Sequence, residues 1–247
     1  MQSNALADKT IILTGSSVVQ SVQQLIKLHG GNVLSYPLIE TVEKVSKEEQ
    51  TYLSNLSNYQ WLIFTSQNAV TYFIAKCERH HIQLPKSVKI AAVGNKTAQT
   101  LKQHHIEVDF MPSVFSADVF VKEFLLDEGE QALFLKGNLA KNTIHEATGA
   151  DEWIVYETQP CKQFIQPFIE SLKVEKQPIV LFASPSAVEV FAEHISPTIR
   201  WTDVKCASIG HVTTSALTKY GVTPIVQPKI YTMQAVIEQL ILEETKK

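Results

Sequence analysis

Two turns of nearly the same sequence carry side chains that could bind an anion. Trp61–Phe73 has the sequence WLIFTSQNAVTYF, and Ile179–Phe191 has the matching sequence IVLFASPSAVEVF. In each, a short apolar run typical of a buried parallel strand is followed directly by apolar residues at helical spacing. Ser66 and Ser184 stand at the predicted helix N-caps. A hydroxyl beside the free backbone N–H groups of a helix start is a suitable site for an anion.

A second pair of turns keeps nearly the same offset from the first pair. Residues 93–98, VGNKTA, match residues 209–214, IGHVTT. The glycine in each turn lets a ligand approach the backbone closely, and Thr97 and Thr213 could donate hydrogen bonds to it. His211 is the one histidine in a repeated turn and the better histidine for an anion contact. Each serine could instead be only a helix cap, and each threonine could face solvent, but the repetition favours a functional role.

Tyr156 lies on an extended segment that resembles a linker. Its phenol could donate a proton or a hydrogen bond to a ligand in a cleft, or it could be an exposed packing residue. The adjacent histidines at 80–81 and 104–105 lack the spacing of metal ligands. The sequence also lacks G-x-G-x-x-G, Walker A, nucleophile-elbow and H-E-x-x-H motifs. It therefore predicts neither a metal nor a cofactor.

Parallel strands that alternate with helices must position these turns. The repeated segments, which include Pro112–Ser116 and Pro228–Thr232, indicate that one α/β unit is present twice. Residues 40–150 supply four predicted strand–helix units, whereas residues 160–247 supply three. The strand–helix unit at residues 10–30 therefore joins the C-terminal block.

The resulting prediction is an α/β protein of two similar parallel-sheet, flavodoxin-like domains. The first is discontinuous, residues 1–36 plus 160–247, and the second spans 39–155. A two-stranded linker joins them and spans residues 33–42 and 151–160, approximately. Ligands of open parallel sheets bind beyond the carboxyl ends of the strands, so we expect a cleft between facing domains, lined by the repeated turns.

Four local predictions complete the fold. Ser46–Glu49 has the pattern of a capping box that opens a short helix. Short strands are expected at 107–111 and from Pro224. The first helix is expected to carry Val18 and Val22 on its apolar face.

Composition restricts the class of protein and its partners. The 247 residues carry a net charge of −3 and arginine only at Arg79 and Arg200, which argues against a nucleic-acid partner. The three cysteines are scattered, which favours reduced thiols in the cytoplasm. No secretory signal is evident, and no apolar run approaches the roughly 20 residues that span a bilayer. A monomer is the default expectation.

The segments FTSQNAV, VGNKTAQTL, VYET, FASPSAV and IGHVTTSAL, in this order, resemble uroporphyrinogen-III synthase over almost the whole chain. The resemblance implies two α/β domains joined by a two-stranded linker. It also implies a cofactor-free lyase that closes hydroxymethylbilane, a linear tetrapyrrole, into uroporphyrinogen III with inversion of ring D, on the route to haem. Two positions depart from the family pattern: Gly15 stands where an arginine is common, and Thr214 replaces an alanine.

The mechanism that the resemblance implies begins with loss of the substrate's hydroxyl, which leaves an electrophilic azafulvene. The substituted carbon of the terminal ring attacks it to give a spiro intermediate, and fragmentation and re-closure give the inverted isomer. The protein then supplies positioning and charge stabilisation. Tyr156 matches the family's linker tyrosine and is predicted to assist departure of the hydroxyl. The predicted substrate contacts are Ser66, Gln67, Asn68, Lys96, Thr97, Ser184, Ser186, His211 and Thr213.

Two other classes of protein fit parts of the pattern. A non-enzymatic two-domain binding protein could close around a small polar ligand by hinge motion, although many such proteins are exported. A glycosyl-transfer enzyme could have two facing Rossmann-like domains, but the chain is short for one and lacks an evident nucleotide loop.

Overall fold

The computed structural model describes residues 4–16 and 20–246. The chain divides into two compact units. One unit comprises Met1–Glu40 and Gln159–Lys247, and the other comprises Thr41–Thr158. Both are mixed α/β structures, and each contains one sheet.

Strands and helices alternate along most of the chain. The strands are β1 (Thr10–Leu13), β2 (Asn32–Ser35), β3 (Ile39–Glu43), β4 (Trp61–Phe64), β5 (Lys89–Ala92), β6 (Ala132–Gly137), β7 (Asp151–Pro160), β8 (Ile179–Phe182) and β9 (Lys205–Ser208). The helices are α1 (Gln20–Leu28), α2 (Glu49–Ser54), α3 (Gln67–Arg79), α4 (Asn95–Gln103), α5 (Ala117–Glu123), α6 (Thr143–Thr148), α7 (Lys162–Val174), α8 (Pro185–Val190), α9 (His211–Thr218) and α10 (Met233–Thr245). Short 3₁₀ turns occur at Leu56–Asn58 and Trp201–Asp203, and a π-helical turn, Phe191–Ile195, follows α8.

The discontinuous unit is built on a parallel sheet in the order β2-β1-β8-β9. Neighbouring residues of β1 enter two different hydrophobic clusters, Ile12 with Val180 and Ile11 with Leu181. Such alternation follows from the two-residue period of a strand and shows that both faces of the sheet are covered. The predicted helix position Val18 lies outside the described residues.

The continuous unit is built on a sheet in the order β3-β7-β6-β4-β5. β4 is parallel to both of its neighbours, and β6 is parallel to β7. Leu62 and Phe64 pack into a cluster with Phe73 of α3, whereas Ile63 packs with Phe120 of α5. The carboxyl ends of β4, β5 and β6 therefore lie at one edge, where the repeated turns begin.

The predicted N-caps of the matching helices are confirmed. Ser66 Oγ accepts a hydrogen bond from the Ala69 N–H at 3.1 Å. Ser184 Oγ accepts the equivalent bond from the Ala187 N–H at 3.2 Å. The same short sequence therefore gives the same local structure in both halves of the chain.

The strand predicted at residues 107–111 is wrong, because the structure has only an isolated bridge between Ala91 and Phe110 there. Asp109 explains the difference, since its carboxylate accepts the Ile90 N–H at 2.7 Å. A side chain thus takes the backbone donor that a regular ladder would use.

The strand predicted from Pro224 is also wrong, because it is reduced to a bridge between Ala207 and Val226. Pro224 and Pro228 flank this bridge and have no N–H group to extend a ladder.

The predicted capping box at Ser46–Glu49 is wrong as well. α2 begins at Glu49, and its N-cap, Glu48, makes no side-chain capping bond. The carboxylate of Glu49 instead contacts Lys76 Nζ at 2.5 Å.

Between residues 4 and 246, leaving out 17–19, no helix combines the length and apolar character that crossing a membrane requires.

Candidate functional site

A cavity of about 410 Å³ opens at the carboxyl ends of β4 and β5. Six of its eight lining residues carry hydroxyl, amide or ammonium side chains, and one carries an aromatic ring. Its lining residues are Thr65, Ser66, Gln67, Gly94, Asn95, Lys96, Thr97 and Phe115. Four predicted substrate contacts, Ser66, Gln67, Lys96 and Thr97, are thus brought together on one surface.

The helix starts around this cavity supply the groups that an anion needs. Gln67 and Asn95 are the first residues of α3 and α4, whose first-turn N–H groups have no partner within the helix. Lys96 is exposed in the first turn of α4 and adds a positive charge. A carboxylate placed here would meet an ammonium group, hydroxyls and backbone donors.

The phenol of Tyr156 adjoins the cavity through Ser66. The two oxygens, Ser66 Oγ and Tyr156 Oη, lie 3.1 Å apart although the residues are 90 positions apart in sequence. The ring of Tyr156 is partly buried and stacks on Tyr72, with centroids 5.7 Å apart and planes at 16°. The structure therefore places the Tyr156 phenol beside the predicted anion contacts.

Not every predicted residue of this unit lines the cavity. Asn68 is partly buried in the first turn of α3 and is absent from the wall. Thr97 lines the cavity but is only 3% exposed, so little of its surface reaches solvent.

The equivalent turns of the discontinuous unit place their side chains differently. Ser184 Oγ and Ser186 Oγ lie 3.0 Å apart. His211 Nδ1 lies 2.9 Å from Tyr231 Oη, and Thr213 is buried. Their roles as substrate contacts stay predictions.

The aromatic residues beside the glycines distinguish the two halves. A methyl group on Gly210 would stand 2.8 Å from the Tyr231 ring, whereas nothing lies within 4 Å of the same position on Gly94. Tyr231 therefore packs over its glycine, while Phe115, its counterpart in the repeat, lines an open cavity.

Gly15, where the family pattern often has an arginine, is crowded by another side chain. A methyl group on Gly15 would stand 2.2 Å from Met233 Cε and 3.5 Å from Ala183 Cβ. Met233 thus occupies the space that a longer residue at position 15 would need. The preceding residue, Thr14, is buried and donates its hydroxyl to the Leu181 carbonyl at 2.8 Å.

The cysteines do not supply a nucleophile. Burial raises the pKa of the Cys77 and Cys206 thiols to about 12, so neither is ionised near neutral pH. Burial also raises the pKa of Cys161. Among the residues that the structure describes, no cluster of histidine, cysteine and acidic side chains could hold a metal ion.

Two larger concave regions, of about 730 and 510 Å³, lie elsewhere in the same unit. The first follows α4 toward Lys102 and His105, and the second lies beside α3 near Cys77 and His81. Neither includes Ser66, Thr97 or Tyr156. We therefore assign the candidate site to the smaller cavity, where the strand-end turns converge.

Sequence reasoning missed Thr65, Asn95 and Phe115 as residues that line this cavity. A signal for Phe115 was present, since Phe115 and Tyr231 occupy matching positions in the repeated segments. Thr65 could have been found as the last residue before the N-cap serine, at the carboxyl end of the strand.

A family model described as uroporphyrinogen-III synthase HemD matches residues 20–238. The chain belongs to the uroporphyrinogen-III synthase family. A curated protein of Methanocaldococcus jannaschii, named "putative uroporphyrinogen-III synthase", is 25% identical to this chain. The match covers 93% of this chain and 96% of that protein. The enzyme of Chlorobaculum parvum is also 25% identical, covering 90% of this chain and 94% of that protein.

Solved uroporphyrinogen-III synthases share the fold. A mutant enzyme from the extremely thermophilic bacterium Thermus thermophilus superposes with a TM-score of 0.70 at 16% identity, covering 97% of this chain and 100% of that one. This likeness shows the fold alone. Membership in the uroporphyrinogen-III synthase family favours an enzyme of porphyrin biosynthesis over the binding-protein and glycosyl-transfer interpretations.

Proposed function

We propose that the chain is a cyclising lyase that converts hydroxymethylbilane into uroporphyrinogen III, with inversion of ring D and loss of water. The proposal rests on a cavity lined by hydroxyls, backbone N–H groups and Lys96, which lies beside the Tyr156 phenol. Membership in the uroporphyrinogen-III synthase family supports it. A linear tetrapyrrole with carboxylate side chains matches such a wall, because each carboxylate accepts several hydrogen bonds.

The chemistry that we propose needs a proton donor and a binding site that holds the substrate in one folded conformation. Tyr156 donates its proton to the substrate hydroxyl, which leaves as water and creates the electrophilic azafulvenium cation. The substituted α-carbon of ring D attacks it, and the spiro intermediate fragments and closes again at the unsubstituted α-carbon of ring D. That carbon then loses its proton as the pyrrole regains aromaticity, and this proton restores the phenol.

We propose that the paired turns hold the folded substrate. Ser66, Gln67, Asn68, Lys96 and Thr97 contact carboxylates in the continuous unit. In the other unit we propose Ser184, Ser186, His211 and Thr213 for the same role. Each ordinary hydrogen bond contributes about 0.5–1.5 kcal/mol, so several are needed to select one conformer.

We propose that the two compact units are the two domains predicted from sequence, residues 1–36 plus 160–247 and residues 39–155. Strand β7 spans the predicted linker at 151–160, and β3 covers residues 39–42 of the predicted linker at about 33–42. Both strands cross a boundary between the compact units, at Glu40/Thr41 and at Thr158/Gln159. This agreement supports the assignment. We also propose that the protein acts as a monomer, which size-exclusion chromatography with light scattering would check.

The decisive experiment supplies freshly generated hydroxymethylbilane and separates the product isomers by chromatography. We expect uroporphyrinogen III to accumulate in proportion to the amount of protein. The uncatalysed reaction closes the ring without inversion and gives the type I isomer. Accumulation of that isomer alone would reject the proposed function.

The role of Tyr156 is tested by Tyr156→Phe, which removes only the phenolic hydroxyl. We expect kcat to fall by about 10²-fold, the lower end of what a positioned general acid contributes. Tyr59→Phe is the matched control, because Tyr59 lies in the same unit and its hydroxyl contacts Asp151 rather than the cavity. Unchanged kcat and KM in Tyr156→Phe would remove this phenol from the mechanism.

A further inference from the structure

We propose that Gly137 and Tyr72 are positioning residues that hold the Tyr156 phenol against Ser66. The inference rests on the proposed function, in which this phenol donates a proton to the departing hydroxyl. Gly137 lies outside the repeated segments, Tyr72 lies in α3 beyond its first turn, and both act through Tyr156.

Gly137, the last residue of β6, leaves the space that the Tyr156 ring fills. The two residues are strand partners, and the pairing register shifts between Lys136 and Gly137. Such an irregularity re-aims the side chains around it. A methyl group on Gly137 would collide with Tyr156 Cζ and stand 2.7 Å from its Oη, closer than the 3.0 Å at which Cβ atoms approach other heavy atoms. Any side chain at position 137 must therefore move the phenol.

Tyr72 restrains one face of the same ring. Its own ring stacks on Tyr156, and its hydroxyl donates to the Thr41 carbonyl at 2.6 Å. A hydroxyl fixed to the backbone prevents the Tyr72 ring from sliding. The position of Tyr156 is therefore restrained by Tyr72 at its face and by Gly137 at its hydroxyl end.

Ser66 then determines where the phenolic proton can point. One lone pair of Ser66 Oγ is used by the Ala69 N–H, and the serine has one proton to donate. When that proton goes to Tyr156 Oη, 3.1 Å away, the phenol keeps its own proton for a substrate oxygen. This arrangement requires the phenol to stay where Gly137 and Tyr72 hold it.

Gly137→Ala is a selective test of this arrangement. The φ of Gly137 lies outside the left-handed region, so the backbone accepts alanine. The atoms that alanine would meet are the far end of a side chain rather than backbone. We therefore expect the variant to fold and the phenol to move.

The first measurement detects the position of the Tyr156 ring in the protein without substrate turnover. NMR of protein with ¹³C-labelled tyrosine identifies the Tyr156 signal as the one lost in Tyr156→Phe. We expect this signal to shift in Gly137→Ala and in Tyr72→Leu. Tyr52→Leu is the control, because Tyr52 stacks on Trp153 at 4.9 Å and 12° in the same unit and should leave the Tyr156 signal in place. An unshifted Tyr156 signal in Gly137→Ala would overturn the proposal.

The second measurement uses hydroxymethylbilane turnover. We expect Gly137→Ala to lower kcat by about 10²-fold, the effect of a misplacement of about 1 Å, with KM changed by less than about threefold. In the Tyr156→Phe background it should have no further effect, because the group that it displaces is already gone. We also expect Tyr72→Leu to lower kcat more than Tyr52→Leu does.

The outcomes separate this inference from the proposed function. An active wild type whose Gly137→Ala variant keeps its kcat, or losses that multiply in the double variant, would overturn the positioning role. A wild type that gives only the type I isomer would reject the function instead. In that case the Tyr156 signal still shows whether Gly137 and Tyr72 fix the ring.

Discussion

At the scale of single residues, the serine hydroxyls of the repeated turns already make hydrogen bonds within the protein, in addition to any that they make to a ligand. Ser66 Oγ accepts a backbone N–H and touches the Tyr156 phenol, and Ser184 Oγ accepts a backbone N–H and touches Ser186. Truncating either serine therefore removes a helix cap as well, at a cost of about 1 kcal/mol. Lys96 is a better probe of ligand binding, because its side chain caps nothing.

We expect Lys96→Met to weaken substrate binding while the fold stays intact. Lys96 is exposed at the cavity, so its pairing with a carboxylate is worth at most about 1 kcal/mol, a factor of about five in KM. Lys102→Met is the matched control, since it removes the same charge from the same helix but outside the cavity. Steady-state kinetics at low salt should show a higher KM for Lys96→Met alone. Equal KM values for the two variants would contradict a role for Lys96.

The sequence predicted the parts of the site that depend on local structure. The N-caps at Ser66 and Ser184 follow from a polar residue placed directly before an apolar helical pattern, and the structure confirms them. The packing of Tyr156 against Gly137 and Tyr72 could not be predicted in this way. It depends on which strands become neighbours and on an irregular register, which no local pattern in a single sequence reports.

At the scale of elements, α3 holds β3 through a row of polar side chains. Tyr72 donates to the Thr41 carbonyl, Lys76 contacts Glu43 at 2.8 Å, and Arg79 binds both oxygens of Glu43. These three residues recur at helical spacing, so they share one face of α3. The apolar positions of α3 were predicted from sequence, but a fully buried lysine was not, because lysine is rarely buried.

We expect Lys76→Met to destabilise the continuous unit by about 3 kcal/mol. The Lys76 side chain is 0% exposed and its partner Glu49 is 5% exposed, so removing the ammonium leaves a buried carboxylate with fewer partners. Lys86→Met, a change at an exposed lysine of the same unit, is the control. Urea unfolding followed by circular dichroism measures the difference, and equal stability of the two variants would contradict it.

The same cluster should make stability depend on acid. Hydrogen bonds from Arg79 lower the pKa of Glu43 to about 2. Burial alone would raise the pKa of Glu49, but the hydrogen bonds from Lys76, Arg79 and His80 outweigh it and lower that pKa. A carboxylate whose pKa is lowered by folding stabilises fully above its unfolded pKa, and this contribution is lost as the pH falls through the folded value.

For Glu43 the expected window runs from about pH 4.5 down to about 2. Glu43→Gln cannot titrate, so its free energy of unfolding should fall less steeply across this window than that of the wild type. Urea titrations at a series of pH values test this difference. Parallel curves for wild type and variant would show that Glu43 does not contribute.

At the scale of the whole molecule, the sequence predicted the type and order of most elements but not which segments at the sheet edges form strands. The repeat identified the matching strand–helix turns, because each depends on a short apolar run followed by a cap. The predictions of two edge strands were wrong. In one, the Asp109 carboxylate accepts the Ile90 N–H that a strand ladder would use, and in the other Pro224 has no backbone N–H to donate. Each compact unit buries hydrophobic clusters of its own.

Separate cores predict that the two units unfold separately, and the cysteines can report this. Cys77 lies in the continuous unit and Cys206 in the discontinuous one, and burial raises the pKa of both thiols to about 12. Each thiol should therefore resist alkylation until its own unit opens. We expect Lys76→Met to lower the urea concentration at which Cys77 becomes labelled and to leave that of Cys206 unchanged. Peptide mass spectrometry after pulse labelling separates the two sites. A shift of equal size at both cysteines would mean that the units unfold as one, because the loss of one buried ammonium would then be felt by both cores.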